Sequence, residues 1–280
     1  MNLLQIEAIV KQALNEDLGH GRDITSELTI PSDAQAKAAL RVRKPGVLAG
    51  LIVGLSAFTL VDGDFEITIH ANDGDALEAD QIVAEIEGPA RSLLTAERTA
   101  LNFIQQLSGI ATLTNQYVKK VKGTDAKITD TRKTIPNLRA LQKYAVRCGG
   151  GVNHRSGLDD AILIKDNHIA TAGGIKAALD AVQDAGHTLK IEIEVDTIMQ
   201  LEEVLKHGGA NIVLLDNMNV ATLKKAVALC KGKIVTEASG GVTLETVKAV
   251  AETGVDYISV GALTHSAPAL DMGLDIDLQS

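Results

Sequence analysis

The sequence predicts an α/β protein in two parts, an N-terminal open α/β sandwich (α+β) followed by an incomplete TIM-like α/β barrel. Three observations carry that expectation. Up to about Lys122, helical and alternating segments mix irregularly. From about Asp125, short apolar runs and helical segments take turns, the last four strands recurring about every 22 residues, the length of one compact β–loop–α–loop unit. Hydrophobic residues make up 45% and charged residues 22% of the 280, so wholesale disorder is excluded. The division expected is residues 1–112 for the sandwich, with 267–280 packing back on it, and 113–266 for the barrel.

Each element has its own signal. Leu3, Ile6, Ile9, Val10, Ala13 and Leu14 recur at helical spacing, and the helix stops near Gly19. Ala38–Arg43 alternates apolar and basic residues before the turn Lys44-Pro45-Gly46. Gly50–Leu60 reads as a helix. Phe65–His70 and Ile82–Ile86 alternate as strands on either side of the turn-rich Asn72-Asp73-Gly74-Asp75. Ser92–Val121 carries a long helical pattern with a break expected at Gly109. Strands follow at Ile128, Ala161–Ile164, Ile191–Val195, Ile212–Leu215, Ile234–Val235 and Tyr257–Val260. Between the later ones lie helices at Ile175–Ala185, Ile198–His207, Val220–Cys230 and Leu244–Glu252. Right-handed crossovers between such units make the strands parallel and bury them on both faces.

Composition removes several function classes. Aromatic residues are 2% and Trp is absent, which leaves almost no stacking platform for single-stranded nucleic acid. The formal charge of −9, from 27 basic and 36 acidic residues, also argues against nucleic acid as the partner. Cys148 and Cys230 are too few for a disulfide framework and fit a reducing cytoplasm. The longest apolar stretch, Val47–Val61, is interrupted by glycines and a serine and is too short to span a bilayer. The N-terminus lacks the pattern of a secretory signal, so a cytoplasmic protein with no membrane partner is expected.

The barrel strands end in polar groups. The endings are Thr129-Asp130-Thr131-Arg132-Lys133, Lys165-Asp166-Asn167-His168, Glu192 with Glu194, Asp216-Asn217, Glu237-Ala238-Ser239-Gly240-Gly241, and Gly261. In an α/β barrel these carboxyl ends converge on one mouth. Any one ending reads equally well as a solvated loop; five in the same register do not. Arg132, Lys133, Arg139, His154, Arg155 and Lys165 supply cations there, a cluster that requires an anion to hold it together. Each charge-assisted hydrogen bond to carboxylate or phosphate contributes roughly 1.5–3 kcal/mol. Glu194 and Asp216 then suit Mg²⁺, a hard cation shared with substrate phosphates. Ser239, Gly240, Gly241 and Gly261 are candidates for a phosphate cradle, with a helix expected from about Thr243. A Ser-Gly-Gly alone is more often a plain turn, and Gly149-Gly150-Gly151 reads equally as a hinge or a close backbone approach. No Ser-His-Asp or Cys-His arrangement stands out. His20, His70, His187 and His207 show no ligand spacing and read as surface or capping residues. For His168 a structural hydrogen bond and a substrate contact both stay open, and Asp166 reads as a partner orienting Lys165.

Asp130-Thr131-Arg132-Lys133-Thr134, Lys143–Gly151 with Asn153-His154-Arg155, and Leu163-Ile164-Lys165-Asp166-Asn167-His168 together closely resemble the quinolinate phosphoribosyltransferases. The resemblance extends over Glu16–Gly19, Asp23-Ile24-Thr25, Gly88–Arg91, Thr95–Asn102, Leu215–Asn217, Glu237–Gly241 and Ser259–His265, so it covers essentially the whole chain. It departs at Val152 and Asp159, neither of which is assigned to chemistry. The resemblance implies transfer of phosphoribosyl from phosphoribosyl pyrophosphate to quinolinate with decarboxylation, and Mg²⁺ as cofactor. It implies a homodimer, with assembly into a hexamer left open, in which Arg98 enters the partner's site; without it, Arg98 reads as a solvated helix residue. By the same resemblance Arg132, His154, Arg155 and Lys165 hold the quinolinate carboxylates, Thr131 is a further substrate-binding residue, and Lys133 lies near the reacting centre. Glu194 and Asp216 serve metal and ribose, and Ser239, Gly240, Gly241 and Gly261 receive the 5′-phosphate with His265 nearby. Four rivals remain at this stage: a nicotinate-specific transferase, the related protein found with molybdate transport, a silent barrel that senses a phosphorylated metabolite, and a Schiff-base aldolase using Lys165.

Overall fold

A computed structural model of the chain describes residues 3–186 and 188–278, so the expectation for His187 lies outside the described residues. Two compact units result, Met1–Asn115 with Ala140–Gly150 and Ser266–Ser280, and Gln116–Arg139 with Gly151–His265.

In the first unit, α1 (Leu3–Leu18) buries Ile6, Val10 and Leu14, one residue every fourth position, and ends where Gly19 adopts φ +55°. The short α2 (Ile24–Thr29) is capped by Asp23, whose carboxylate accepts from Ser26 N at 3.0 Å. Strand β1 (Gln35–Val42) alternates strictly and turns Ala36, Ala38, Leu40 and Val42 inward. It is followed by β2 (Gly46–Val47), α3 (Leu51–Val61), β3 (Glu66–Ile69), β4 (Ala76–Leu77) and β5 (Ile82–Pro89). The Asp73 carboxylate accepts from Gly50 N and Leu51 N at 3.0 Å each, holding the start of α3.

Helix α4 (Ala90–Lys120) runs on without interruption through Gly109, contrary to the break expected there. The residue is glycine because Pro268 O and Ala269 Cα, the latter 3.0 Å away, occupy the space of a Cβ. The glycine therefore serves packing rather than bending the helix.

The rest of the chain contains β6 (Lys127–Thr129), α5 (Arg139–Cys148), β7 (Ile162–Ile164), α6 (Asp166–Ala172), α7 (Ile175–Asp184), β8 (Ile191–Val195), α8 (Ile198–His207), β9 (Ile212–Asp216), α9 (Val220–Cys230), β10 (Val235–Ser239), α10 (Val247–Ala251), β11 (Tyr257–Ser259), α11 (Ala262–His265) and β12 (Met272–Leu278). Strand β12 returns to the first unit and completes an antiparallel sheet in the order β12-β1-β5-β3. The second sheet is wholly parallel, in the order β6-β11-β10-β9-β8-β7. A bridge from Thr129 to Val152 adds to its β6 edge. The result is an incomplete barrel whose floor is aliphatic: Ile128, Ile193, Val213, Leu215, Ala238 and Ile258 are all buried.

Three local differences from the sequence reading have physical causes. Residues 140–150 cluster with the first unit, not the second. The amphipathic α5 buries Leu141, Ala145 and Val146, Tyr144 donates to Asp73 at 2.7 Å, and Gly149 fits closely against Ala111 and Thr114. Strand β10 runs to Ser239, because Thr236 and Glu237 are buried strand residues despite their polarity. Helix α10 has only five residues, since Thr243 N donates to Thr246 Oγ1 at 2.9 Å and forms a turn first. The Ser-Gly-Gly loop is thus followed by a turn and not by a helix start.

Candidate active site

The carboxyl ends of the parallel strands surround a cavity of about 490 Å³ lined by Thr131, Arg132, Lys133, His154, Arg155, Lys165, Glu194, Asp216, Glu237, Ser239, Gly240 and Gly241, among others. Each strand contributes its ending because a parallel sheet points all its carboxyl ends one way. The larger cavity of about 810 Å³, lined by Lys224, Lys231, Lys233 and Asp256 among others, involves none of the predicted residues.

The cations are held in different ways. Asp130, fully buried, accepts from His154 N at 3.0 Å and from Asn153 Nδ2, so the end of β6 fixes the loop that carries His154 and Arg155. Arg155 donates to Ala161 O at 3.2 Å, and burial, with the nearby Arg132, pushes its guanidinium below the usual arginine range. Arg132 Nε is buried with no hydrogen-bond partner. A buried guanidinium N–H without an acceptor is costly, and a ligand oxygen would satisfy it. Lys133 is exposed, and its N–H donates to Thr131 Oγ1 at 3.0 Å. Lys165 Nζ lies 3.1 Å from Glu194 Oε2. Arg139 leaves the group of cavity cations: it donates to Thr134 Oγ1 at 3.0 Å and Ser156 O at 2.9 Å, tying two loops together.

His154 lines the cavity, and its ring is oriented by the protein. Its Nδ1 accepts from Arg155 N at 2.8 Å, and its Nε2 lies 2.8 Å from Glu192 Oε2 and 3.7 Å from Glu237 Oε2. Both ring nitrogens are therefore used inside the protein. His168 is exposed at the start of α6, its Nδ1 accepting from Lys165 N at 2.9 Å. Asp166 accepts from its neighbour Asn167 N at 2.7 Å, so Glu194 and not Asp166 is the ion-pair partner of Lys165.

Glu194 and Asp216 come together with a carboxylate that sequence reasoning missed, Asp196. Single oxygens of the three lie within 4.8 Å of one another. The alternation Glu192, Glu194, Asp196 was the available signal, since period two places all three on one face. A set of hard oxygen donors fits Mg²⁺.

The glycines fit the cavity by close approach. At Gly240, with φ +95°, a Cβ would collide with Asn217. Gly261 leaves room for Lys133 Cδ and His265 Nε2, 3.1 and 3.3 Å from where its Cβ would stand. Arg98 is exposed on α4 and does not line the cavity. His20 is exposed, as is His70, which lies 3.0 Å from Glu85 Oε2, whereas His207 is half-buried at the end of α8, 2.8 Å from Asp180 Oδ1. Both cysteines are free; burial pushes the Cys148 thiol up and the Cys230 thiol up to about 11, which leaves them unreactive.

A parallel α/β barrel that gathers cations, carboxylates and a glycine loop at its carboxyl rim is that of an enzyme for phosphorylated, multiply anionic substrates. The family models for the quinolinate phosphoribosyl transferase N-terminal domain and C-terminal domain match residues 23–108 and 110–275. A Mycobacterium leprae (strain TN) nicotinate-nucleotide pyrophosphorylase [carboxylating] is 47% identical over 272 residues, covering 95% of each chain. A Bacillus subtilis (strain 168) protein named "Probable nicotinate-nucleotide pyrophosphorylase [carboxylating]" is 44% identical over all of this chain and 96% of its own. The structure of the nicotinate-nucleotide pyrophosphorylase from Francisella tularensis superimposes with a TM-score of 0.95 at 40% identity, covering 99% of this chain and 98% of that one. The chain belongs to the quinolinate phosphoribosyltransferase family.

Proposed function

We propose that the cavity at the carboxyl ends of β6–β11 is where this enzyme joins quinolinate to phosphoribosyl pyrophosphate, giving nicotinate mononucleotide, pyrophosphate and CO₂ in de novo NAD biosynthesis. The observation that carries this reading is one cavity lined by four cationic side chains, Arg132, Lys133, Arg155 and Lys165, beside the carboxylates Glu194 and Asp216. Such a cavity suits a dicarboxylate and a polyphosphate, with a cation between the phosphates and the protein.

No side-chain nucleophile is required, because the pyridine nitrogen attacks the anomeric carbon itself. Catalysis then consists of positioning and of stabilising charge as it moves. Arg132, through its unpartnered Nε, and Arg155 take the quinolinate carboxylates. Lys165 helps them and is oriented by Glu194. Lys133, unencumbered beside Gly261, reaches the leaving pyrophosphate. Ser239, Gly240 and Gly241 receive the 5′-phosphate through the backbone N–H groups of their left-handed loop, with Gly261 and His265 nearby. Glu194 and Asp216 would hold Mg²⁺, with Asp196 beside them, and the ion would neutralise charge on the departing pyrophosphate. Once the ring nitrogen is cationic, the adjacent carbon can hold the electron pair that CO₂ leaves behind. His154, in the wall of the same cavity, faces the quinolinate end and also holds Arg155 by accepting from its backbone N–H.

Arg98, exposed on α4, would complete the quinolinate site of a second copy in a homodimer. Cytoplasmic placement goes with this reading; among the described residues no helix is long and apolar enough to cross a membrane. The test is incubation with quinolinate, phosphoribosyl pyrophosphate and Mg²⁺. Nicotinate mononucleotide and CO₂ should appear together, and omitting Mg²⁺ should remove most of the rate. Product from nicotinic acid but not from quinolinate would sink the assignment.

A further inference from the structure

Decarboxylation leaves carbon 2 of the pyridine ring needing a proton, and the hydrogen bonds below the cavity identify a group that could deliver it. Arg155 N–H can only donate, so His154 Nδ1 is an acceptor and the ring's proton resides on Nε2. That proton is donated to Glu192 Oε2 at 2.8 Å, which makes Glu192 the carboxylate of a neutral imidazole pair. Glu237 stands beside the same ring, its Oε2 3.7 Å from Nε2, and is 3% exposed. Its Oε1 is buried without a hydrogen-bond partner, and so is Oε1 of Glu192.

The groups facing Glu237 from each neighbouring element are Glu192 on β8, His154 on the loop before β7, Asp130 after β6, and Ser259 on β11. Two are acids, one is the imidazole already committed to Glu192, and one is a hydroxyl. Two close carboxylates in a dry barrel cannot both stay ionised with one shared imidazole hydrogen. Glu237 is also the member of the pair that lines the cavity.

We propose that Glu237 is held as the neutral carboxylic acid and protonates carbon 2 when CO₂ leaves. The step balances: the bond from carbon 2 to its carboxylate breaks, CO₂ departs, and the electron pair stays on carbon 2. The Glu237 O–H bond then breaks, a C–H bond forms, and Glu237 remains as carboxylate until water restores its proton after product release. Burial and the neighbouring Glu192 raise Glu237 to about 7, in the range suited to proton transfer near neutral pH. The competing donors are poorer, since an ammonium is an intrinsically weaker acid than a carboxylic acid and Lys165 Nζ is engaged by Glu194. This role rests on the reading that the cavity holds quinolinate.

Glu237→Gln keeps the shape and neutrality of the acid but has no transferable proton. We expect its KM for quinolinate to stay within about twofold while kcat falls on the order of 100-fold. The parent's kcat/KM should decline as pH rises past about 7, and the variant should lack that limb. Independently of activity, the infrared spectrum of the parent at pH 6 should carry a protonated-carboxyl stretch that Glu237→Gln lacks; should the variant not fold, the parent's own band titrating away towards pH 8 decides. Unchanged kcat in the variant, or no such band in the parent, overturns the role. A parent that converts no quinolinate overturns the substrate assignment instead, an outcome visible before any variant is made.

Discussion

Lys133 is exposed and its ammonium makes no hydrogen bond or ion pair among the described residues, so removing it breaks no polar contact. Lys165 pairs with Glu194 across 3.1 Å, but its side chain is 48% exposed, and such pairs contribute about 0–1 kcal/mol. Both are expected to matter for charge stabilisation and hardly at all for folding. Lys133→Ala and Lys165→Ala should each lower kcat/KM by on the order of 100-fold, with thermal unfolding shifted by less than about 1 kcal/mol. Wild-type kcat/KM in either variant would refute its role. Gly261 makes the complementary case. Its backbone tolerates alanine, but the new Cβ would stand 3.1 Å from Lys133 Cδ and push that side chain aside. Gly261→Ala should therefore reduce kcat while leaving the melting temperature alone, as activity assays and calorimetry together would reveal.

Glu237 adds a pH dependence at the same scale. Its folded-state value of about 7 lies above its ordinary 4.5, so protonation stabilises the fold fully at low pH and that contribution is lost as pH rises towards 7. Glutamine has no proton to lose. The stability of Glu237→Gln relative to the parent should thus be near zero at about pH 4 and favourable by on the order of 3 kcal/mol at pH 8. Equal differences at the two pH values in denaturant titrations would contradict a raised Glu237.

Elements of strong periodicity were legible in the sequence, and those shaped by tertiary contact were not. The alternation of β1 and the four-residue spacing of α1 are properties of the chain itself, and they fall where read. Gly109 looked like a helix break because glycine is a poor helix former; its real cause, the backbone of Pro268 and Ala269, lies far along the chain. The two effects oppose each other in Gly109→Ala. Helix propensity would gain about 1 kcal/mol, but rigid backbone blocks the Cβ, and overpacking costs about 1–3 kcal/mol or more. Net destabilisation, read as a lower melting temperature, is expected; a more stable variant would mean that residues 268–269 yield easily. Strand β10 was cut short for a similar reason. Thr236 and Glu237 look like loop residues until β9 and β11 pair on either side of them, with Asp256 accepting from Thr236 and His154 standing beside Glu237. The cations of the site were readable because parallel strands share one direction, whereas the partners that orient His154 and Arg139 are hydrogen bonds that no spacing reveals.

At the scale of the whole molecule the open question is whether one chain suffices for activity. Arg98 is exposed on α4, makes no hydrogen bond or ion pair among the described residues, and lies outside the cavity lining. A guanidinium that served only solubility could be removed without consequence. If instead a symmetric dimer sends it into the partner's quinolinate site, each site is built from two chains, and lesions on different chains can complement. Arg98→Ala and Lys133→Ala homodimers should each be nearly inactive. When they are mixed and allowed to exchange subunits, half the dimers are mixed, and each mixed dimer has one site with both defects and one with neither. Activity should then recover to about a quarter of the wild-type value by random pairing in a two-fold dimer. Full activity of Arg98→Ala, or failure of the exchanged mixture to recover, would leave the site of each chain to work with its own residues alone.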